Sequence, residues 1–383
     1  MTNEKEMTAP SVSVGADTEQ SLNMYARNII PDESENSNGI GEDYDEMVRD
    51  LERMTDPSYI HTVTMSALYD KVFDLKSPLI EGLLNRGTYL FAGSPKVGKS
   101  FLMAQLAVHI STGTPIWGYP VRQSPVLYLA LEDDYPRLQQ RLYRMFGEQE
   151  TKELYLATQS RRLGEGLEEQ IRNFTREHPG TGLIIIDTLK RIREKDSGDY
   201  SYGSDYDVVS RLKTMADSYG ISLIIVHHTR KQAAEDKFDM ISGTNGLLGA
   251  ADGAFILSKN KRTDHEAVLE ITGRDQQDQR LYLVRNEQRL IWELDHVESD
   301  LWKEPPEPIL EAISQKLDPE NPVWQGSPTE LAQWLDTDLP PNALSLKLNI
   351  NAARLANEYG ISYRNRRTHD GRRITLQRNM VQA

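Results

Sequence analysis

Thr88-Tyr-Leu-Phe-Ala-Gly93-Ser-Pro-Lys-Val-Gly98-Lys99-Ser100-Phe101 is the stretch that decides how the rest of the chain is read. The run from Thr88 to Ala92 predicts a strand, and the stripe Phe101, Gln105 and Val108 predicts a helix after it. Between them, Gly93, Gly98, Lys99 and Ser100 have the spacing of a phosphate-binding loop. The glycines let backbone N–H groups curl around phosphate oxygens, Lys99 reaches the outer phosphates, and Ser100 can ligate Mg²⁺. The helix amino terminus adds positive potential. The expected nucleotide site is therefore Gly93, Ser94, Pro95, Lys96, Val97, Gly98, Lys99, Ser100 and Phe101.

Working outward, Val126–Leu131, Leu183–Asp187, Ser222–His227 and Gly253–Leu257 read as further strands. Val208, Leu212, Met215, Ala216 and Tyr219 line a helix that Gly220 can end. Strands alternating with helical patterns predict an α/β fold, a mostly parallel sheet with helices on both faces. The closely spaced runs Val268–Ile271, Leu281–Val284 and Leu290–Glu293 extend it as antiparallel strands. Three strands end in chemistry. Leu183-Ile-Ile-Ile-Asp187 delivers a carboxylate to the metal beside Ser100. Val126 to Leu131 is followed by Glu132, the candidate base that orients the attacking water. Asp133 and Asp134 read as caps of a helix running from Tyr135 through Leu138 to Leu142. Ile224 to Val226 leads into His227 and His228, of which only one can face the nucleotide, because neighbours on a strand point to opposite sides.

The set resembles the RecA-like P-loop ATPases, in particular the RepA-type hexameric replicative helicases of plasmids, phages and integrated elements. The likeness is carried by PLIEGLL from Pro78, FAGSPKVGKS, LYLALEDD, LIIIDTLKR, IIVHHTRK, SGTNGLLGAAD from Ser242 and ITGRD from Ile271. It implies ATP and Mg²⁺ as cofactors, Lys99 and Glu132 as catalytic groups, and Ser100 with Asp187 at the metal. It also implies His228 as the γ-phosphate sensor, with His227 as the fallback. Arg274 becomes an arginine finger reaching a neighbouring subunit's ATP, against the plain reading of a solvated turn residue. Two loops, Lys190–Asp207 with Tyr200, Tyr202 and Tyr206, and Lys231–Asn245, would line a channel for single-stranded DNA. The loop acids Glu194, Asp196, Asp199, Asp205 and Asp207 oppose phosphate attraction there, so the tyrosines read as surface-loop residues.

The chain has 383 residues and a formal net charge of −14. No cysteine is present, which excludes disulfides, Cys-ligated metal and a thiol nucleophile. Residues 1–60 hold fourteen acids and four bases with few large apolar groups, so an acidic, largely disordered tail is expected, with a short helix over Asp45–Met54 as one alternative. The ATPase domain is expected over 61–303, without membrane spans and cytoplasmic. Pro305, Pro306 and Pro308 mark a linker over 304–310. Beyond it, Ser327-Pro-Thr-Glu330 is a capping box that turns Leu331, Trp334 and Leu335 inward. The spacing of Leu344, Leu348, Ala352, Leu355 and Tyr359 predicts one further helix. Ile361–Arg366 and Arg373–Gln377 read as strands around an Asp370-Gly371 turn, so residues 311–383 are expected to form a winged helix. Seven arginines against two acids in 354–383 make Arg364, Arg366, Arg367, Arg372 and Arg373 the candidate DNA contacts. The expectation is an ATP-hydrolysing DNA motor, a homo-oligomeric and hexameric helicase for a mobile element. The alternatives are a RecA-like regulator that binds DNA without unwinding it and a nucleotide-dependent scaffold.

Overall fold

Strands β1 (Thr88–Gly93), β2 (Val126–Ala130), β3 (Leu154–Ala157), β4 (Leu183–Asp187), β5 (Ser222–His228) and β6 (Gly253–Ser258) run parallel in the computed structural model. The described residues are 56, 58–60, 62–73, 77–193, 202–228, 238, 245–261, 263–274, 276–298, 306–318, 320–368 and 371–379. Strands β7 (Glu266–Gly273), β8 (Gln276–Arg285) and β9 (Trp292–Val297) add antiparallel, giving the order β3-β2-β4-β5-β1-β6-β7-β8-β9. The apolar runs are continuous because both faces of the sheet are covered. Tyr89, Phe91, Ile185, Ile224 and Val226 pack on one side with Leu102 and Leu106. Leu90, Ala92, Ile184, Ile186 and Ile225 pack on the other with Val209, Leu212 and Ala216. The period of two along each strand thus assigns alternate residues to two cores.

The first helix, α1 (Met65–Tyr69), belongs to the unit 1–71 and is capped by Thr64, whose side chain accepts from Ala67 N. In the unit 72–383, α2 (Lys99–Thr112), α3 (Tyr135–Phe146), α4 (Leu167–Glu177), α5 (Leu189–Ile192), α6 (Tyr202–Tyr219) and α7 (Asn245–Ala250) connect the strands. The acidic tail to residue 55, including the helix expected over Asp45–Met54, lies outside the described residues, as do Tyr200, Glu194, Asp196, Asp199, Arg230 and most of Lys231–Asn245. Among the described residues no helix is long and apolar enough to cross a membrane.

Two expectations need correction here. Tyr202, Asp205, Tyr206 and Asp207 do not sit in a loop; they form the first turns of α6. The stripe from Leu344 to Tyr359 is two helices, α10 (Pro341–Ile350) and α11 (Ala352–Tyr359). Asn351 breaks it: its side-chain amide and its backbone N–H both donate to Lys347 O, drawing the last turn closed. The remaining carboxy-terminal elements are α8 (Pro308–Lys316), β10 (Val323–Gly326), α9 (Pro328–Leu335), β11 (Ile361–Thr368) and β12 (Gly371–Arg378). Ser327 accepts from Glu330 N while Glu330 accepts from Ser327 N, completing the capping box. Strands β10-β12-β11 form an antiparallel sheet, and Leu310, Ile313, Leu331, Leu348, Leu355, Ile374 and Leu376 close a third core.

Candidate nucleotide site

The turn after β1 has Lys96 at φ 67° and Gly98 at φ 114°, a reversal that points successive amide groups into one concavity, as an anion cradle requires. Only glycine fits at two of its positions. A Cβ on Gly93 would lie 2.6 Å from Leu257 O, and one on Gly98 would lie 2.8 Å from the Trp292 ring. Trp292 is fully buried, and α2 holds it in place: Gln105 donates to its carbonyl at 2.8 Å and accepts its N–H at 2.8 Å, while Trp117 Nε1 donates to the same carbonyl.

The neighbouring strands end beside this loop. His228 is the register partner of Gly93, and Asp187 pairs with Ala130 on one side and Val226 on the other. Leu131 N donates to Asp187 O, which carries the chain to Glu132 at the same sheet edge. Lys99 is 5% exposed; its Nζ donates to Gly93 O at 2.7 Å and Ser94 O at 3.0 Å and lies 3.0 Å from His228 Nδ1. Burial lowers its pKa to about 8, against the raising influence of Asp187 and Glu132. Burial, then the Lys99 charge, also holds His228 below the usual imidazole value. His228 Nε2 stands 4.0 Å from Glu132 Oε2, and Glu132 Oε1 accepts from Thr188 Oγ1 at 3.3 Å. His227 is one residue back, opposite Ala92, so its side chain leaves by the other face.

Asp187 is almost fully buried, accepts from Tyr128 OH at 3.0 Å and is hydrogen-bonded to Ser100; burial raises its pKa. A buried carboxylate beside a hydroxyl at a helix amino terminus is the oxygen donor set that Mg²⁺ takes, so Ser100 and Asp187 fit that ion. Phe101 starts the adjoining wall, with the Arg285 guanidinium 4.4 Å and that of Arg141 4.9 Å from its ring centre. Asp134 does cap α3, accepting from Arg137 N at 2.8 Å. Asp133 does not; it pairs with Arg141 at 2.6 Å.

Arg274 is not brought to this cluster. It follows Gly273, which pairs with Gly253 at the far end of the sheet, and its Nη2 donates to Gly249 O at 3.0 Å. The other candidate arginines lie on β11 and β12, where Arg366 faces Arg373 and Arg367 faces Arg372 across the strands, with Arg364 opposite Thr375. The sequence reading missed Tyr128, Thr188 and the Trp292–Gln105 brace. Gln105 on an otherwise apolar stripe was the one visible signal for that brace.

Residues 54–234 match the family described as AAA domain. Among solved structures, an ATPase domain aligns over 99% of its length and 67% of this chain at 13% identity and a TM-score of 0.47. A DnaB-like replicative helicase aligns over 76% of its length and 72% of this chain at 13% identity and 0.48. A KaiC-like protein from Pyrococcus horikoshii covers 59% of this chain at 14% identity, aligning over 99% of its own length at 0.43. The AAA-domain match lies over the phosphate loop and the strand ends around it, in the parallel part of the sheet.

Proposed function

We propose that this protein is an ATP-hydrolysing, DNA-binding motor, a ring-forming hexameric replicative helicase of a mobile genetic element. The observation that carries the reading is the meeting of Lys99, Glu132, Asp187 and His228 at the ends of four adjacent parallel strands, around a loop shaped for phosphate. In this reading Gly93 to Phe101 bind ATP and Lys99 neutralises its outer phosphates. Ser100 and Asp187 would hold Mg²⁺, which when bound offsets charge on the β and γ oxygens. Glu132 orients and partly deprotonates the attacking water, with Thr188 holding its other oxygen. His228 lies between Lys99 and Glu132, and in this reading it registers whether the γ-phosphate is there.

Arg274 lies at the opposite end of the sheet from its own loop, so a finger role is open to it only in a neighbouring subunit's site. That arrangement makes hydrolysis depend on assembly. Residues 61–303 form the motor, and residues 311–383, joined through 304–310, form a winged helix that grips DNA. The element order α8-β10-α9-α10-α11-β11-β12 supports the latter. So does the ribbon charge of Arg364, Arg366, Arg367, Arg372 and Arg373. Lys347 on α10 is paired with Glu307 at 2.8 Å, which leaves the ribbon as the basic element.

The test is the ATP hydrolysis rate with and without single-stranded DNA, together with strand displacement on a forked duplex. Stimulation with displacement is expected. Duplex binding without either selects the non-unwinding regulator instead.

A further inference from the structure

A cleft of about 840 Å³ lies at the amino-terminal ends of β1, β2 and β4, the sheet edge opposite the nucleotide site, between the core and α11 with the start of β11. Arg86, Arg122 and Ser124 line its core side, and Asn357 and Ser362 line the other. Among the described residues no Asp or Glu lines it, although acids outnumber bases 58 to 44 in the chain. An adjoining hollow that shares Arg122 is edged by Glu81 and Glu358, and Glu358 is already paired with Arg354 at 2.7 Å.

Two like charges therefore share one concave wall. Arg86 uses Nε and Nη1 to donate to Ser77 O and Gly182 O, both at 3.0 Å, which fixes its guanidinium at the cleft. Burial, and then the neighbouring Arg122 charge, lower its pKa to about 10. Ser124 supplies an independent sign. It is 8% exposed, and its Oγ is buried with no hydrogen-bond partner among the described residues, a state that folded proteins seldom tolerate without a ligand or a function. The absent side chain of Gly182 makes room for that hydroxyl, since a Cβ there would lie 2.0 Å from it.

We propose that this cleft binds a phosphate group between the Arg86 and Arg122 guanidinia, with Ser124 Oγ as a further donor. The planar guanidinium fork matches phosphate oxygens, and the volume is that of a nucleotide-sized ligand. The phosphate belongs either to a nucleic-acid phosphodiester or to a free phosphate compound.

The experiment uses the full chain with its P-loop saturated by Mg-ADP, so that added phosphate is not read there. One arm titrates inorganic phosphate by calorimetry; the other titrates a short oligothymidylate by fluorescence anisotropy at low salt. Arg122→Gln and Ser124→Ala are compared with the wild type. Neither removes a bond that holds the fold, and unchanged melting midpoints check this. Arg122→Gln is expected to weaken binding about tenfold and Ser124→Ala about threefold, the scale of one charge-assisted and one neutral hydrogen bond. Loss in the phosphate arm identifies a free phosphate ligand, and loss in the oligonucleotide arm alone identifies a phosphodiester. Equal binding by both variants in both arms, or no binding by the wild type in either, overturns the proposal.

Discussion

His228 Nδ1 lies 3.0 Å from Lys99 Nζ, while its other nitrogen is 4.0 Å from Glu132. The imidazole thus stands between the group proposed to meet the phosphates and the group proposed to meet the water. His228→Ala should leave ATP binding within about threefold of wild type and lower turnover by roughly 10² to 10³, as removal of one transition-state donor does. Nucleotide binding by fluorescence and steady-state turnover separate the two effects; an unchanged turnover would remove the sensor role.

Lys99 gives a pH prediction. Burial sets its pKa at about 8 in the nucleotide-free protein, and phosphate oxygens must raise it, because an adjacent anion favours the ammonium form. Below that value the lysine is already charged and binding takes up no proton at this group. Above it the neutral amine has to be protonated, so affinity falls by up to about tenfold per pH unit. Calorimetry at about pH 9 in two buffers of different ionisation enthalpy should show close to one proton taken up. The same heat in both buffers would contradict the assignment.

Gln105 and Trp292 tie the phosphate-loop helix to the start of β9 by two backbone hydrogen bonds. Gln105→Leu leaves the Trp292 N–H buried without its acceptor and should cost about 1–3 kcal/mol, read as a lower denaturant midpoint at constant slope. Trp117 continues to satisfy the carbonyl, which keeps the loss at the single-group scale. A change below about 0.5 kcal/mol would show that the brace carries no stability.

On the ribbon, Arg366 lies directly opposite Arg373. Like charges in that position repel by a few tenths to about 1 kcal/mol, so Arg366→Ala with Arg373→Ala should stabilise the fold slightly. The same change should weaken duplex binding and lower the magnitude of its salt slope by about 2 if both side chains meet phosphates. Greater stability with unaltered binding would leave the ribbon without a DNA role.

Several of these relationships are legible in the amino-acid sequence, and the reasons are local. Gly93 to Ser100 declare themselves by spacing, and the apolar runs before Glu132, Asp187 and His228 declare their strands by being buried on both faces. Strand β3 stayed hidden because its four residues are only half-buried and carry no strong pattern. The break at Asn351 stayed hidden because α10 and α11 share one apolar stripe, so the periodicity continues across it. Tyr128 and Trp292 act over 59 and 187 residues of sequence, a separation that no local pattern records.

The most direct test of the account is Glu132→Gln, which keeps the size of the side chain and removes its charge. Mg-ATP binding should stay near wild type, while steady-state hydrolysis falls by roughly 10² or more, as expected when a positioned general base is lost. Hydrolysis at the wild-type rate would mean that the strand-end cluster around Lys99 is not where ATP is cleaved.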